Sequence, residues 1–230
     1  MWSQASLLPR LVASSVKIAE TAGNLIKDFV IWVDPLDGTS EFAAAMYDKS
    51  ISLDQVTVLI GIAYQGKPIS GIIHQPYYNN GVGRTLWGVL GIGSFNYENK
   101  VCLSQKIAVT TKSHSTALVD LTLKSLKEKK LIEKVERVGG AGFKVINILE
   151  GATAYVFASD GCRKWDTCAP EAVLSAAGGQ LTNLSGQSYS YKIDAEHQNH
   201  GGVLATGFGT NHQSFIDAIP AQVKETLCKL

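Results

Sequence analysis

Several absences narrow the reading of this chain. Its 230 residues carry a formal net charge of only +1, so no global field steers it to a nucleic acid polymer or an acidic membrane, and any anionic ligand must be held locally. No run of 18 or more apolar residues occurs, so no membrane span is expected. Arg10 and Lys17 interrupt the apolar residues near the start, and no small-residue cleavage site follows, so no secretory leader is read there. The four cysteines (Cys102, Cys162, Cys168 and Cys228) form no Cys-x-x-Cys pair. That argues against a zinc or redox motif and for reduced thiols in a cytoplasmic protein. Neither G-x-G-x-x-G nor a P-loop is present, which removes the dinucleotide and Walker fingerprints. The 45% hydrophobic and 18% charged composition is that of an ordinary globular protein.

The most informative segment is Val30-Ile31-Trp32-Val33-Asp34-Pro35-Leu36-Asp37-Gly38-Thr39. The apolar run Phe29 to Val33 reads as a buried strand, and it delivers Asp34 and Asp37 into a tight turn. Pro35 fixes its own φ, Gly38 lets the backbone double back, and Thr39-Ser40-Glu41 reads as a helix start. Carboxylates at a strand end facing a helix N-terminus suit a hard cation beside a phosphate; they are equally ordinary turn formers.

Around this segment the patterning alternates helix and strand. Leu7, Leu8, Leu11, Val12, Ser15, Ile18, Ala19, Ala22 and Ile26 predict one amphipathic helix with Pro9 near its start. Gln55–Tyr64 and Pro68–His74 read as a hairpin about Gln65-Gly66, followed by a strand pair at Arg84–Leu90 and Ser94–Tyr97. Further on come a strand at Ile107–Thr111 and a helix over Ser115–Lys129 capped by Ser113 or Ser115. A strand at Val135–Val138 precedes a helix at Phe143–Glu150, and a strand at Ala154–Ala158 precedes a helix at Asp166–Ala177 with Asp166 as cap. A strand at Val203–Thr206 and a terminal helix from about Asn211 complete the pattern. It predicts an α+β fold, a layered α/β/α/β/α sandwich, with an N-terminal half at 1–104 and a C-terminal half at 105–230.

Three further segments suit anion chemistry. Asp166 at a helix start sits where a phosphate or a metal-bound water is welcome. Thr110-Thr111-Lys112-Ser113-His114-Ser115 is a donor-rich loop between strand and helix. Val138-Gly139-Gly140-Ala141-Gly142-Phe143-Lys144 is a glycine-rich turn whose backbone N–H groups and lysine fit an anion. Each also has a plain capping or turn reading. His74 reads as a strand-edge residue, His197 and His200 as members of a solvated loop, and Cys162 and Cys168 as small packing residues.

Trp32-Val33-Asp34-Pro35-Leu36-Asp37-Gly38-Thr39 and Trp165-Asp166-Thr167-Cys168-Ala169-Pro170-Glu171, in this order and at this separation, resemble the two signatures of the inositol-monophosphatase-like, lithium-sensitive, magnesium-dependent phosphatases. Val56 to Gly61, Gln75 to Tyr78, Thr110 to Ser115, Val138 to Lys144 and Tyr155 to Pro170 place the chain nearest the 3'(2'),5'-bisphosphate nucleotidase branch. The resemblance implies magnesium held by Asp34, the Leu36 carbonyl, Asp37 and Asp166, with two or three ions in the family. It implies phosphate bound at Gly38 and Thr39, the Thr39 hydroxyl in the reacting network, and nucleotide contacts from Thr111, His114, Gly140 and Lys144. The implied reaction removes the 3'-phosphate of 3'-phosphoadenosine 5'-phosphate to give AMP. An inositol-phosphate phosphatase and a non-catalytic nucleotide-binding or regulatory chain remain as alternatives. The implied partners are a phosphorylated small molecule and, at most, a second copy of the chain, as monomer or homodimer.

One departure stands out. The family places a loop carrying Asp and Thr, and then a strand ending in Gly-Glu-Glu, between its first helix and the Asp-Pro-x-Asp-Gly strand. Here only Asn24 to Asp28 intervene, and no Gly-Glu-Glu occurs. The stretch Ala43 to Leu53 also looks longer than the family's connection. The chain reads as internally shortened, with an incomplete first sheet, fewer or weaker metal sites and impaired activity.

Overall fold

The structure is a computed structural model and describes residues 2–98, 106–112 and 116–228. Two five-stranded sheets organise it. The first is a pure antiparallel meander in chain order: β1 (Phe29–Asp37), β2 (Thr57–Tyr64), β3 (Lys67–Gln75), β4 (Arg84–Val89) and β5 (Gly93–Phe95). Sequential hairpins explain that order, since Gln65 and Gly66 take positive φ at the β2–β3 turn and Gly91 and Gly93 do so at the β4–β5 turn. The second sheet is mixed. β6 (Ile107–Thr111) pairs in parallel with β7 (Lys134–Val138) on one side and β8 (Ala154–Phe157) on the other, and β10 (Val203–Thr206) and β9 (Gln180–Thr182) add antiparallel beyond β8.

Between the sheets lie α5 (Ala141–Leu149) and α6 (Lys164–Ala176). Leu59, Ile73 and Leu86 of the first sheet meet Val145 and Ile148 of α5, Ala169 and Val173 of α6, and Val109, Tyr155 and Val203 of the second sheet in one core. On the far side of the second sheet, α4 (Ala117–Glu128), α7 (His212–Ala218) and α8 (Ala221–Cys228) cover Ala108, Val156 and Leu204 through Leu123, Leu126, Phe215, Ile216 and Val223. Gly61, Gly71 and Gly88 sit opposite one another on β2, β3 and β4 and form a groove in which α6 lies. A Cβ built on Gly71 would stand 2.3 Å from the Ala169 carbonyl oxygen, so the helix rests directly on backbone.

The layered α+β arrangement expected from the sequence is present, and several element boundaries move. The α4 cap is Thr116, whose hydroxyl accepts from the Val119 N–H, while Ser113 and Ser115 lie outside the described residues. α6 starts two residues earlier than expected. Its N-cap is Arg163, and Asp166 is the third helical residue, accepting the Arg163 N–H at 2.6 Å. Pro9 lies inside α1 (Trp2–Ile26), because the helix extends back to Trp2. β9 was not foreseen; its three residues carry too little periodicity to read. The terminal helix is two helices, broken at Pro220.

The outer helical layer over the first sheet is the main difference. Every described side chain of α1 from Pro9 to Ala22 is exposed, and α1 does not cover that sheet. At the margin of the first sheet, β1 pairs only with β2 among the described residues.

Candidate active site

β6 is the point at which the chain reverses its course across the second sheet, stepping first to β7 and then back past β6 to β8. Ligands of open α/β sheets lie outside the carboxyl ends of strands at such a switch point. A cavity of about 310 Å³ opens there, walled by Thr111 at the end of β6, Gly140 just after β7 and Phe157 at the end of β8. The first sheet contributes the end of β1 from the opposite side, and the start of α6 closes the floor.

The three predicted acids converge in this cavity. Asp34 and Asp37 from β1 and Asp166 from α6 each place one oxygen so that all three lie within 4.8 Å of one another. Their supports differ. Asp37 is buried and accepts hydrogen bonds from the Ala141 N–H (2.8 Å), the Gly142 N–H (2.9 Å) and the Thr57 hydroxyl (2.6 Å). It therefore satisfies the first free N–H groups of α5 from 104 residues away, a role for which the helix has no side chain of its own. Asp34 accepts the Leu36 N–H at 2.9 Å, which is the turn role its sequence context suggested. It also faces Asp166, and a hydrogen bond joins the two carboxyls.

The electrostatics are those of a site short of positive charge. Burial, and then the neighbouring carboxylates Asp37 and Asp34, push Asp166 up to about 7 against the pull of the Arg163 N–H. Burial also raises Asp34, with Asp37 adding to it. Three oxygen donors of this kind fit a hard divalent cation, which would relieve the crowding of like charge. The Leu36 carbonyl lines the same cavity and accepts the Thr39 hydroxyl at 3.3 Å.

Gly38, Thr39, Thr111, Gly140 and Lys144, from the segments whose sequence suits an anion, line the same cavity. Gly38 takes φ 83° as the residue before α2 (Thr39–Ala45), and it and Thr39 line the cavity. A Cβ on Gly38 would approach the Gln55 carbonyl to 3.0 Å, so turn and packing both require glycine. Gly140 is held likewise at φ 61° against the Gln55 carbonyl. Lys144 is buried beneath it, its Nζ donating to the Gly140 carbonyl at 2.9 Å and lying 5.4 Å from the Tyr155 ring centre. Burial lowers the Lys144 ammonium, while Asp37, Cys162, Glu41 and Asp166 act to keep it charged. Thr111 reaches the cavity, and His114 lies outside the described residues.

Glu41, Tyr155, Phe157, Cys162, Arg163 and Trp165 also line the cavity and were not singled out as site residues. Glu41 is buried against Gly139 so closely that a Cβ there would fall 2.0 Å from the Glu41 carboxyl carbon. Its place after Asp-Gly-Thr was visible as helix-start acid only. Cys162, read as a packing residue, is both packed and part of the wall, whereas Cys168 packs beneath Gly61 on the first sheet. His74 bonds the Thr85 hydroxyl (2.9 Å) on the neighbouring strand, as a strand-edge residue would.

The model of the inositol monophosphatase family matches residues 5–224. The chain belongs to that family. Within it, the chain is 48% identical over 209 residues to 3'(2'),5'-bisphosphate nucleotidase 1 of Mus musculus, covering 87% of this chain and 64% of the relative. The enzyme of the same name from Dictyostelium discoideum is 36% identical over 211 residues, again with 64% of its length covered. The chain thus spans a little under two thirds of the length of these curated relatives. Among solved structures, SaIMPase-II bound to inositol monophosphate superimposes with a TM-score of 0.65 at 19% identity, over 87% of this chain and 72% of that one. The same enzyme bound to 2'AMP gives 0.64. At that identity the likeness shows a shared family fold, which agrees with the two layered sheets seen here.

Proposed function

We propose that this chain is a magnesium-dependent phosphomonoesterase of the 3'(2'),5'-bisphosphate nucleotidase type, acting on 3'-phosphoadenosine 5'-phosphate, with activity attenuated by its internal shortening. The observation that carries this reading is the convergence of Asp34, Asp37 and Asp166 in one cavity with Gly38, Thr39 and Lys144. The nucleotide preference rests on the 48% identity to a nucleotidase, not on the geometry.

The donor set fits magnesium: Asp34, Asp37, Asp166 and the Leu36 carbonyl would hold it. Bound there, the cation supplies Lewis-acid charge for the phosphate oxygens and makes water a better nucleophile near neutral pH. The remaining roles belong to the chain. The backbone N–H groups of Gly38 and Thr39 at the start of α2 receive the scissile phosphate. The Thr39 hydroxyl, hydrogen-bonded to the Leu36 carbonyl, orients the reacting water. Lys144 and Gly140 bind the nucleotide and, with Thr111 and His114, its second phosphate. Asp37 fixes the distance between the β1 turn and α5 and so aligns the two halves of the cavity.

The attenuation follows from chemistry. Magnesium surrenders hydration reluctantly, so a site without the family's Gly-Glu-Glu carboxylates holds it weakly. Loss of a water-activating group costs about 10²–10⁴ in rate. The test is phosphate release from adenosine 3',5'-bisphosphate and from inositol 1-phosphate with magnesium, beside calorimetric binding of AMP. Slow release from the bisphosphate with little from the inositol ester is expected. Turnover equal to that of the mouse relative would remove the attenuation, preference for the inositol ester would reassign the substrate, and AMP binding without turnover would make the chain a non-catalytic nucleotide binder.

A further inference from the structure

The first sheet is buried on one face only. Its inner face meets α6, whereas its outer face carries an apolar row that crosses all five strands, from Val33 to Ile60, Ile72, Trp87 and Phe95, each directly opposite the next. Beside it, Ile31 stands opposite Ile62. Ile31 is 62% and Val33 49% exposed. Soluble monomers rarely present a contiguous apolar surface of this extent, and an unpaired edge strand beside it adds to the liability.

The same chain carries a second apolar surface without a partner. Leu11, Val12, Ile18, Ala19, Ala22 and Ile26 fall on one stripe of α1 at the spacing of a helix that should pack against something. Ile18 and Ile26 are each 68% exposed. Arg10, Lys17 and Glu20 occupy the opposite side. The two surfaces match in scale: the apolar stripe from Leu11 to Ile26 runs about 23 Å, and five strands span about 19 Å.

The connection decides which copy α1 covers. Only Lys27 and Asp28 separate α1 from β1, and the Asp28 carbonyl accepts the Gln65 N–H at 3.2 Å, fastening the link to the β2–β3 turn. A two-residue hinge pinned at one end leaves little freedom to turn the helix back over the sheet it precedes. Short hinges of that kind favour exchange of the element between copies.

We propose that α1 of one copy lies across the outer face of the first sheet of a second copy, and reciprocally, forming a helix-exchanged two-fold homodimer. The contact is self-complementary, because each chain gives one helix and accepts one. α1 joins β1 at Phe29, the end away from Asp34 and Asp37, so the cavity stays open in the dimer.

The experiment measures solution mass by light scattering and then places cysteines. The full chain is expected at twice its 24.7 kDa mass, and Ile18→Glu, on a helix side chain that is 68% exposed in its own fold, is expected to return it to a single chain with its circular dichroism retained. When a copy carrying only Ile18→Cys is mixed with one carrying only Ile31→Cys, refolding and mild oxidation should give a disulfide between them that neither gives alone. A single-chain mass for the parent overturns the proposal, as does a dimer indifferent to Ile18→Glu. A disulfide formed within one chain carrying both substitutions would show α1 covering its own sheet. Association only with phosphatidylcholine–phosphatidylserine vesicles would assign the two faces to lipid; both outcomes also overturn it.

Discussion

Asp37 shows how one side chain unites fold and site. Its carboxylate takes three donors from β2 and α5 and still offers an oxygen to the acid cluster. Asp34, in the same turn, accepts the Leu36 N–H and faces the carboxyls of Asp37 and Asp166. The two aspartates should therefore respond differently to the same chemistry. Asp37→Asn places an amide among N–H donors and loses acceptors that nothing replaces. It is expected to cost about 1–3 kcal/mol of stability by thermal denaturation and to abolish the calorimetric heat of magnesium binding. Asp34→Asn keeps the oxygen that Leu36 needs and removes repulsion, so the metal-free chain should be at least as stable as the parent while its magnesium heat also disappears. Equal destabilisation by the two would contradict the division of roles. At this scale the sequence showed that Asp34 and Asp37 share one turn, because strand, turn and helix start lie within ten residues of each other. It could not show that Asp37 caps a helix 104 residues on, or that Glu41 and Tyr155 share its cavity, since only tertiary packing brings those together.

Elements with strong local signals were legible: the β2–β3 hairpin about Gln65-Gly66, and β6, β7 and β8 as short apolar runs. Those whose signal is tertiary were not. The β9 strand forms because Leu181 and Thr182 can pair with β10, and α6 extends back to Lys164 because the Arg163 N–H finds Asp166. The seat of α6 is of the second kind. Gly61, Gly71 and Gly88 read individually as strand-weakening residues, yet their alignment across three strands is what lets a helix approach backbone to backbone. Gly71→Ala would set a methyl 2.3 Å from the Ala169 carbonyl oxygen, and neither partner is a flexible side chain. The expected cost is about 1–3 kcal/mol, a fall in Tm of roughly 2–12 °C. Since α6 carries Asp166, magnesium affinity should fall with it. Gly23→Ala in α1, where a Cβ meets nothing within 4 Å, is the matched control and should lower neither quantity. A Gly71→Ala chain as stable as the parent would mean that α6 is not seated on the groove.

At the scale of the whole molecule, a buried acid away from the cavity couples global stability to pH. Glu171 on α6 sits beneath the first sheet in the cluster of Trp32, Ala63, Cys168 and Tyr191, its carboxylate taking the Tyr191 hydroxyl at 2.5 Å. Burial pushes it up to about 7, with the Tyr191 hydroxyl and the Lys164 ammonium acting in the opposite sense. An unfolded glutamate ionises near 4.3. The folded chain thus holds the proton over a window in which the unfolded chain has released it. The penalty of ionising the buried carboxyl is therefore absent below about 4 and complete above about 7. Stability should therefore decline as pH rises from about 4.5 to 7 and then level off, by about 3 kcal/mol from this group alone. Glu171→Gln keeps an acceptor for Tyr191 and removes the titration, so its Tm should exceed that of the parent at pH 8 and converge with it near pH 4.5. Parallel Tm–pH curves for the two chains would place the pH dependence elsewhere. Comparing Tm at one protein concentration matters, because exchange of α1 between copies would make the midpoint depend on concentration as well as on pH. The two effects separate cleanly: the Glu171→Gln difference should persist in an Ile18→Glu background, where α1 no longer pairs, and there the concentration dependence alone should vanish.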